Sequence, residues 1–124
     1  MKFYQCEKCK KTVAMIKKSG CPTMCCGEPM TELVPNTTDG AYEKHVPAVT
    51  VEGNLVKAKV GEVEHPMLEE HYIMWIALES TQGFQMKELK PGDKPEAVFA
   101  LAEGDEAKAV YEYCNLHGLW MKEL

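Results

Sequence analysis

The stretch Cys114-Asn115-Leu116-His117-Gly118 places a thiol and an imidazole three positions apart beside a glycine, so sulfur and ring can turn onto one point. The sequence has four histidines, and the other three stand in compact settings too: Glu43-Lys44-His45-Val46-Pro47 and His65-Pro66-Met67-Leu68-Glu69-Glu70-His71. Together His45, His65, His71, Cys114 and His117 offer four imidazoles and one thiolate. Zinc usually takes four ligands, and blue copper two histidines, one cysteine and a weak axial group, so either metal leaves strong donors over. A five-coordinate iron with its sixth position open fits this inventory. A lone cysteine is more often a small buried hydrophobe than a ligand. The grouping of all four histidines in such segments favours the metal reading.

A second cluster lies in residues 1–34, which hold Cys6, Cys9, Cys21, Cys25 and Cys26. Cys6-Glu7-Lys8-Cys9 has the spacing of a metal knuckle, and Cys25-Cys26-Gly27 follows it. Spacing alone permits two tetrathiolate sets: Cys6, Cys9, Cys25 and Cys26, or Cys6, Cys9, Cys21 and Cys25. It leaves iron and zinc about equally favoured. Vicinal cysteines on one metal imply a distorted tetrahedron, which suits a redox iron better than a zinc staple. A module this short cannot bury enough surface to fold alone, so the metal supplies much of its folding energy.

The elements that must position these groups are short. Val56, Ala58 and Val60 alternate with Lys57 and Lys59, and residues 72–78 form an aromatic, apolar run. Residues 84–89 and 96–101 read as further strands, divided by Lys90-Pro91-Gly92-Asp93. Residues 105–114 are ambiguous between helix and strand. Strands punctuated by Gly and Pro about every ten residues predict an antiparallel β-sandwich, whose loops can converge on a metal. The boundary between the two parts is expected near the turn-rich stretch Val34-Pro35-Asn36-Thr37-Thr38-Asp39-Gly40, giving domains 1–35 and 36–124.

Net charge is −5, split as +3 over residues 1–34 and −8 over the rest, and there is no arginine. Without arginine, bidentate reading of phosphates or bases is unfavourable, so no nucleic-acid partner is expected. No apolar run is long enough to span a bilayer, and no signal-peptide core is present, so no membrane partner is expected and a cytoplasmic location is the default. In that reducing compartment clustered cysteines are ligands more often than disulfides.

The combined pattern of Glu43-Lys44-His45-Val46-Pro47, His65-Pro66-Met67 with His71, and Cys114-Asn115-Leu116-His117-Gly118 resembles the superoxide reductases. The N-terminal Cys6-x-x-Cys9 and Cys25-Cys26-Gly27-Glu28-Pro29-Met30 make it similar to the two-iron class, the desulfoferrodoxins. The resemblance runs through the whole chain in the expected order. It implies a mainly β protein: a small desulforedoxin-like (rubredoxin-like) module, then an immunoglobulin-like antiparallel β-sandwich. It implies two iron ions per chain, Fe(Cys)4 on Cys6, Cys9, Cys25 and Cys26, and Fe(His)4(Cys) on His45, His65, His71, His117 and Cys114. Two departures stand out: Lys10 follows Cys9 where relatives commonly have glycine, and Cys21 is an extra thiol.

The implied activity is one-electron reduction of superoxide to hydrogen peroxide without release of dioxygen. Rubredoxin or another small carrier would be the electron donor, and the resemblance also implies a homodimer. Glu43 resembles the carboxylate that caps the ferric iron after turnover, and Lys44 would attract superoxide. In an extended strand Glu43 and His45 would share a face and Lys44 would point away, so Lys44 requires a bent or mobile loop here. A non-enzymatic iron electron-transfer protein, a dismutase at the same iron, and a zinc-ribbon module fused to a binding sandwich are the competing expectations.

Overall fold

A computed structural model describes all 124 residues. The chain divides into two compact units, Met1–Val34 and Pro35–Leu124. In the first unit, strands β1 (Lys2–Gln5), β2 (Thr12–Met15), β3 (Met24–Cys25), β4 (Glu28–Pro29) and β5 (Thr31–Leu33) form a three-stranded sheet in the order β2-β1-β5 and a β3-β4 hairpin. Cys25 pairs with Glu28, so Cys26 and Gly27 are the two loop residues of that hairpin. Both have positive φ, 51° and 77°, as the hairpin turn that matches strand twist requires. Cys6, Phe3 and Met30 supply the buried centre of this small unit.

The second unit holds one helical turn, α1 (Tyr42–His45), and strands β6 (Pro47–Glu52), β7 (Leu55–Val60), β8 (Ile73–Ser80), β9 (Phe84–Glu88), β10 (Glu96–Ala100), β11 (Ala107–Cys114) and β12 (Gly118–Glu123). They form two antiparallel sheets, β10-β7-β6 and β12-β11-β8-β9. Seven strands in two sheets make the antiparallel β-sandwich that the sequence predicts, of the immunoglobulin-like kind that the family resemblance implies. In β7, Val56, Ala58 and Val60 are buried while Lys57 and Lys59 are exposed. With Phe99 of β10 they meet Ile73, Ile76, Leu78 and Val110 from the other sheet.

The ambiguous segment 105–114 resolves as strand. β11 is paired on both sides, with β8 and with β12, and those ladders outweigh the helix preference of its alanines and glutamates. The register slips at its end: Tyr113 faces Trp75 but Cys114 faces Ile73, leaving Met74 as an extra residue in β8. Side chains alternate along a strand, so without this bulge Ile73 and Ile76 would face opposite sides. With it both enter the core, and the chain turns beside Cys114.

The segment before His45 is not an extended strand but takes the bent course considered from sequence. It is a single helical turn, with Val46 N–H bonded to Tyr42 O at 2.9 Å. Pro47 forces Val46 into extended geometry (φ −68°, ψ 123°) and ends the turn there. Gly61 buttresses it from outside. A Cβ at Gly61 would lie 2.6 Å from Lys44 O and 2.7 Å from Glu43 O, and its φ is +81°. Only glycine fits that position.

Candidate metal centre

Four loops at one end of the sandwich supply the histidine-rich group. His45 ends α1, His65 follows the turn after β7, His71 precedes β8, and Cys114 with His117 flank the β11–β12 turn. One ligand atom from each of His45, His65, His71, Cys114 and His117 lies within 4.8 Å of all the others. His45 and His65 are 2 % exposed and Cys114 is fully buried.

The proton positions follow from the outer hydrogen bonds. His45 Nδ1 lies 2.8 Å from Ala41 O, and His65 Nδ1 lies 2.7 Å from Pro66 O. A carbonyl only accepts, so each Nδ1 carries the hydrogen and each Nε2 presents a lone pair inward. Those two Nε2 atoms are 3.1 Å apart, and His117 Nδ1 is 3.0 Å from that of His45. Cys114 Sγ lies 3.5 Å from His65 Nε2 and 3.8 Å from His117 Nδ1. His71 Nε2 is buried with no hydrogen-bond partner. Converging lone pairs and an orphaned buried nitrogen are satisfied together by one cation. The residues present therefore fit a metal, and their softness and number fit iron.

Electrostatics point the same way. Burial, aided by the neighbouring imidazoles, holds His65 down to about 4, and burial lowers His45 and His71 as well. The rings are thus neutral, the form that ligates. Burial pushes the Cys114 thiol up, opposed by the backbone N–H groups of Leu116 and His117. A bound cation would be needed to hold the thiolate there.

The ligand loops are stitched to one another. Asn115 Oδ1 accepts from Tyr72 N–H at 2.9 Å and its Nδ2 donates to Glu70 O at 3.0 Å, tying the Cys114 loop to the His71 loop. Gly118 (φ +78°) passes Thr38, whose hydroxyl donates to His117 O. Trp120 stacks on His45 with ring centroids 4.9 Å apart and donates its indole N–H to His117 O at 2.9 Å. Sequence reasoning passed over Asn115, Thr38 and Trp120: Tyr72, His117 and His45, which they respectively meet, are distant from them in the chain, and no spacing announces the contacts.

Glu43 and Lys44 are both exposed on α1. In a helical turn consecutive side chains are about 100° apart, so Lys44 leaves the turn to one side of His45, and Glu43, two positions before His45, leaves it near the opposite face. Burial is the main cause that lowers His45 and His71, and the Lys44 charge acts in the same direction as a smaller one.

The second group gathers Cys6, Cys9, Cys25 and Cys26, again within 4.8 Å of one another. Cys9 Sγ lies 3.6 Å from Cys25 Sγ, and Cys25 Sγ lies 3.9 Å from Cys26 Sγ. The left-handed conformation of Cys26 is what turns two vicinal side chains to one point. Cys9 N–H points at Cys6 Sγ (3.5 Å), and that backbone donor pulls the Cys6 thiol down to about 6. The thiols of Cys9 and Cys6 push Cys26 up to about 12. Four such sulfurs cannot all ionise without a cation among them. Lys10 has φ 66°, a conformation that costs a non-glycine residue about 1–2 kcal/mol. Cys21 lies outside the cluster, exposed on a hollow of about 530 Å³ that Tyr4, Met15 and Lys17 also line.

Comparison with known proteins agrees with this architecture. A desulfoferrodoxin from Syntrophotalea carbinolica is 45% identical over 123 residues, covering 99% of this chain and 96% of its own. The crystal structure of the superoxide reductase from Treponema pallidum superposes with a TM-score of 0.80 at 42% identity, covering 92% of this chain and 93% of that one. A one-iron superoxide reductase from Giardia intestinalis (TM-score 0.56, 36% identity) covers 66% of this chain and 99% of its own. The family profile described as Desulfoferrodoxin matches residues 37–123, and with it the whole of the four-histidine group. The chain belongs to the desulfoferrodoxin family.

Proposed function

We propose that this protein is a superoxide reductase, converting superoxide, one electron and two protons to hydrogen peroxide without forming dioxygen. The convergence of His45, His65, His71, His117 and Cys114 within 4.8 Å carries this reading. Family membership and the superoxide reductases among the structural relatives support it. Iron held by those five residues would supply the one-electron reductant, with the Cys114 thiolate as its strong donor.

The chain's own groups do the rest. Burial keeps His45 and His65 neutral, and the Ala41 and Pro66 carbonyls fix their tautomer. Leu116 and His117 N–H groups temper the basicity of the Cys114 sulfur. Lys44 brings a positive charge to the mouth of the centre, attracting the superoxide anion and favouring charge that develops there. Glu43, its neighbour on the same turn, is assigned the carboxylate role that the family resemblance implies. The N-terminal iron is assigned to Cys6, Cys9, Cys25 and Cys26, with domains 1–35 and 36–124 as the functional division.

The electron donor is assigned to rubredoxin or a similar small one-electron carrier, on the family resemblance. The location is assigned to the cytoplasm, where thiols committed as ligands stay reduced. No helix is long and apolar enough to cross a membrane. A homodimer is assigned on the same resemblance, supported by Ile16, 94 % exposed beside the edge strand β2.

Metal analysis with a visible spectrum, followed by stopped-flow mixing with superoxide, tests the function. Two irons per chain and one oxidised catalytic iron per superoxide consumed are expected. A colourless zinc protein, or dioxygen evolved at half the superoxide consumed, would sink the reading. Cys114→Ser should abolish the catalytic centre's thiolate band and most activity, and leave the N-terminal bands unchanged.

A further inference from the structure

We infer that Trp120 is a positioning residue of the four-histidine centre, one side chain that orients two of its imidazoles at once. The inference rests on the reading of His45 and His117 as iron ligands. Trp120 is fully buried. Its indole lies 23° from parallel to the His45 ring. His45 is already held within its own plane by the Nδ1 bond to Ala41 O. The stack fixes the remaining freedom, rotation of that plane. The same indole donates to His117 O at 2.9 Å. His117 faces the centre through Nδ1, the ring nitrogen nearer the backbone, so the tilt of its peptide decides where that nitrogen points. Trp120 and the Thr38 hydroxyl both hold the carbonyl of that peptide.

The indole itself has little room to move. Tyr42 packs edge-on against it, centroids 5.1 Å apart at 85°. Gly40 closes another side: a Cβ there would fall 3.1 Å from Trp120 Cζ2 and 3.3 Å from His45 Cε1 and Nδ1. Two ligands whose donor atoms are 3.0 Å apart are therefore referenced to one rigid ring. Outer partners of this kind commonly change metal affinity by about 10–100-fold when removed. A tryptophan that only filled volume would affect the melting temperature and leave the metal's properties alone.

The test uses the iron-loaded protein. Trp120→Phe keeps a stacking ring and loses the N–H, Trp120→Leu loses both, and Thr38→Val removes the second donor to His117 O. For each, the rate of catalytic-iron transfer to a chelator, the thiolate band and the reduction potential are measured, with the N-terminal bands as internal reference. Trp120→Leu should release the catalytic iron about tenfold faster or more, with the band and potential shifted, and Trp120→Phe should fall between it and wild type. Folded Trp120 variants with wild-type release rate, band and potential would overturn the inference, whatever their melting temperatures. If Trp120→Leu does not fold, Trp120→Phe decides by the same criteria, with Thr38→Val expected to shift in the same direction. A His117→Ala variant that keeps the catalytic band would instead overturn the ligand assignment, a failure distinct from that of Trp120.

Discussion

Lys44 carries an exposed charge in an otherwise acidic neighbourhood: Glu43 shares its turn, and Glu62, Glu64, Glu69 and Glu70 are exposed on the loops that carry His65 and His71. Replacing it by alanine should slow the second-order reaction with superoxide by about tenfold at low salt and remove the fall in rate with rising ionic strength. Stopped-flow at several salt concentrations checks this; an unchanged rate would remove Lys44 from the mechanism. Glu112 poses the opposite problem. It is fully buried, both carboxylate oxygens lack partners, and burial raises its pKa well above the usual carboxylate range. The fold therefore binds a proton that the unfolded chain releases, so its contribution to stability falls as pH rises through the unfolded value. Glu112→Gln cannot titrate, so between about pH 5 and pH 8 its melting temperature should gain steadily on wild type. Parallel curves would show that Glu112 does not hold its proton. The five residues of the histidine-rich group were readable from sequence because residue type marks them as candidate ligands. The environment of Glu112 was not, since a glutamate in a strand looks like any solvated one until its sheet is assembled.

Among the elements, those with a clean period of two were legible: β7, with lysines and small apolar residues alternating, needs no tertiary information. β12 gave no such signal because Leu119 and Trp120 are adjacent and both buried. α1 is too short for any helical period, and its existence depends on Pro47 ending it and on the backbone of Gly61 and Val63 lying against it. That dependence gives a prediction. Gly61→Ala combines a left-handed φ with a Cβ 2.6 Å from a backbone oxygen, so it should destabilise the second unit by about 3 kcal/mol or more. Because the displaced atoms are the carbonyls of Glu43 and Lys44, the superoxide rate should fall further than for a surface substitution of equal stability cost. Denaturant midpoints alongside stopped-flow rates separate the two effects. A variant with wild-type midpoint and rate would mean that the contact relaxes freely.

For the molecule as a whole, each compact unit gathers its own ligand group, four sulfurs in one and four imidazoles with a sulfur in the other. Cysteine spacing left two ligand sets open, the family resemblance implies the one with Cys26, and the structure gathers Cys6, Cys9, Cys25 and Cys26 with Cys21 outside the group. Ile16 bears on assembly. If the first unit forms the dimer contact, Ile16→Lys should shift the protein from dimer to monomer by light scattering, with both sets of iron bands retained. A dimer that persists would move the contact elsewhere.

The residues of the histidine-rich centre are also spread widely along the chain, with His45 and His117 72 positions apart. During synthesis the Cys6–Cys26 cluster is complete early and can take up metal while the rest is still being made. The histidine centre has no fourth imidazole and no thiolate until β11 has been made and the chain has turned into β12. The cysteine group can thus be assembled before the histidine group, and a ribosome stalled before residue 114 would display a chain that holds the first group and lacks Cys114 and His117 of the second.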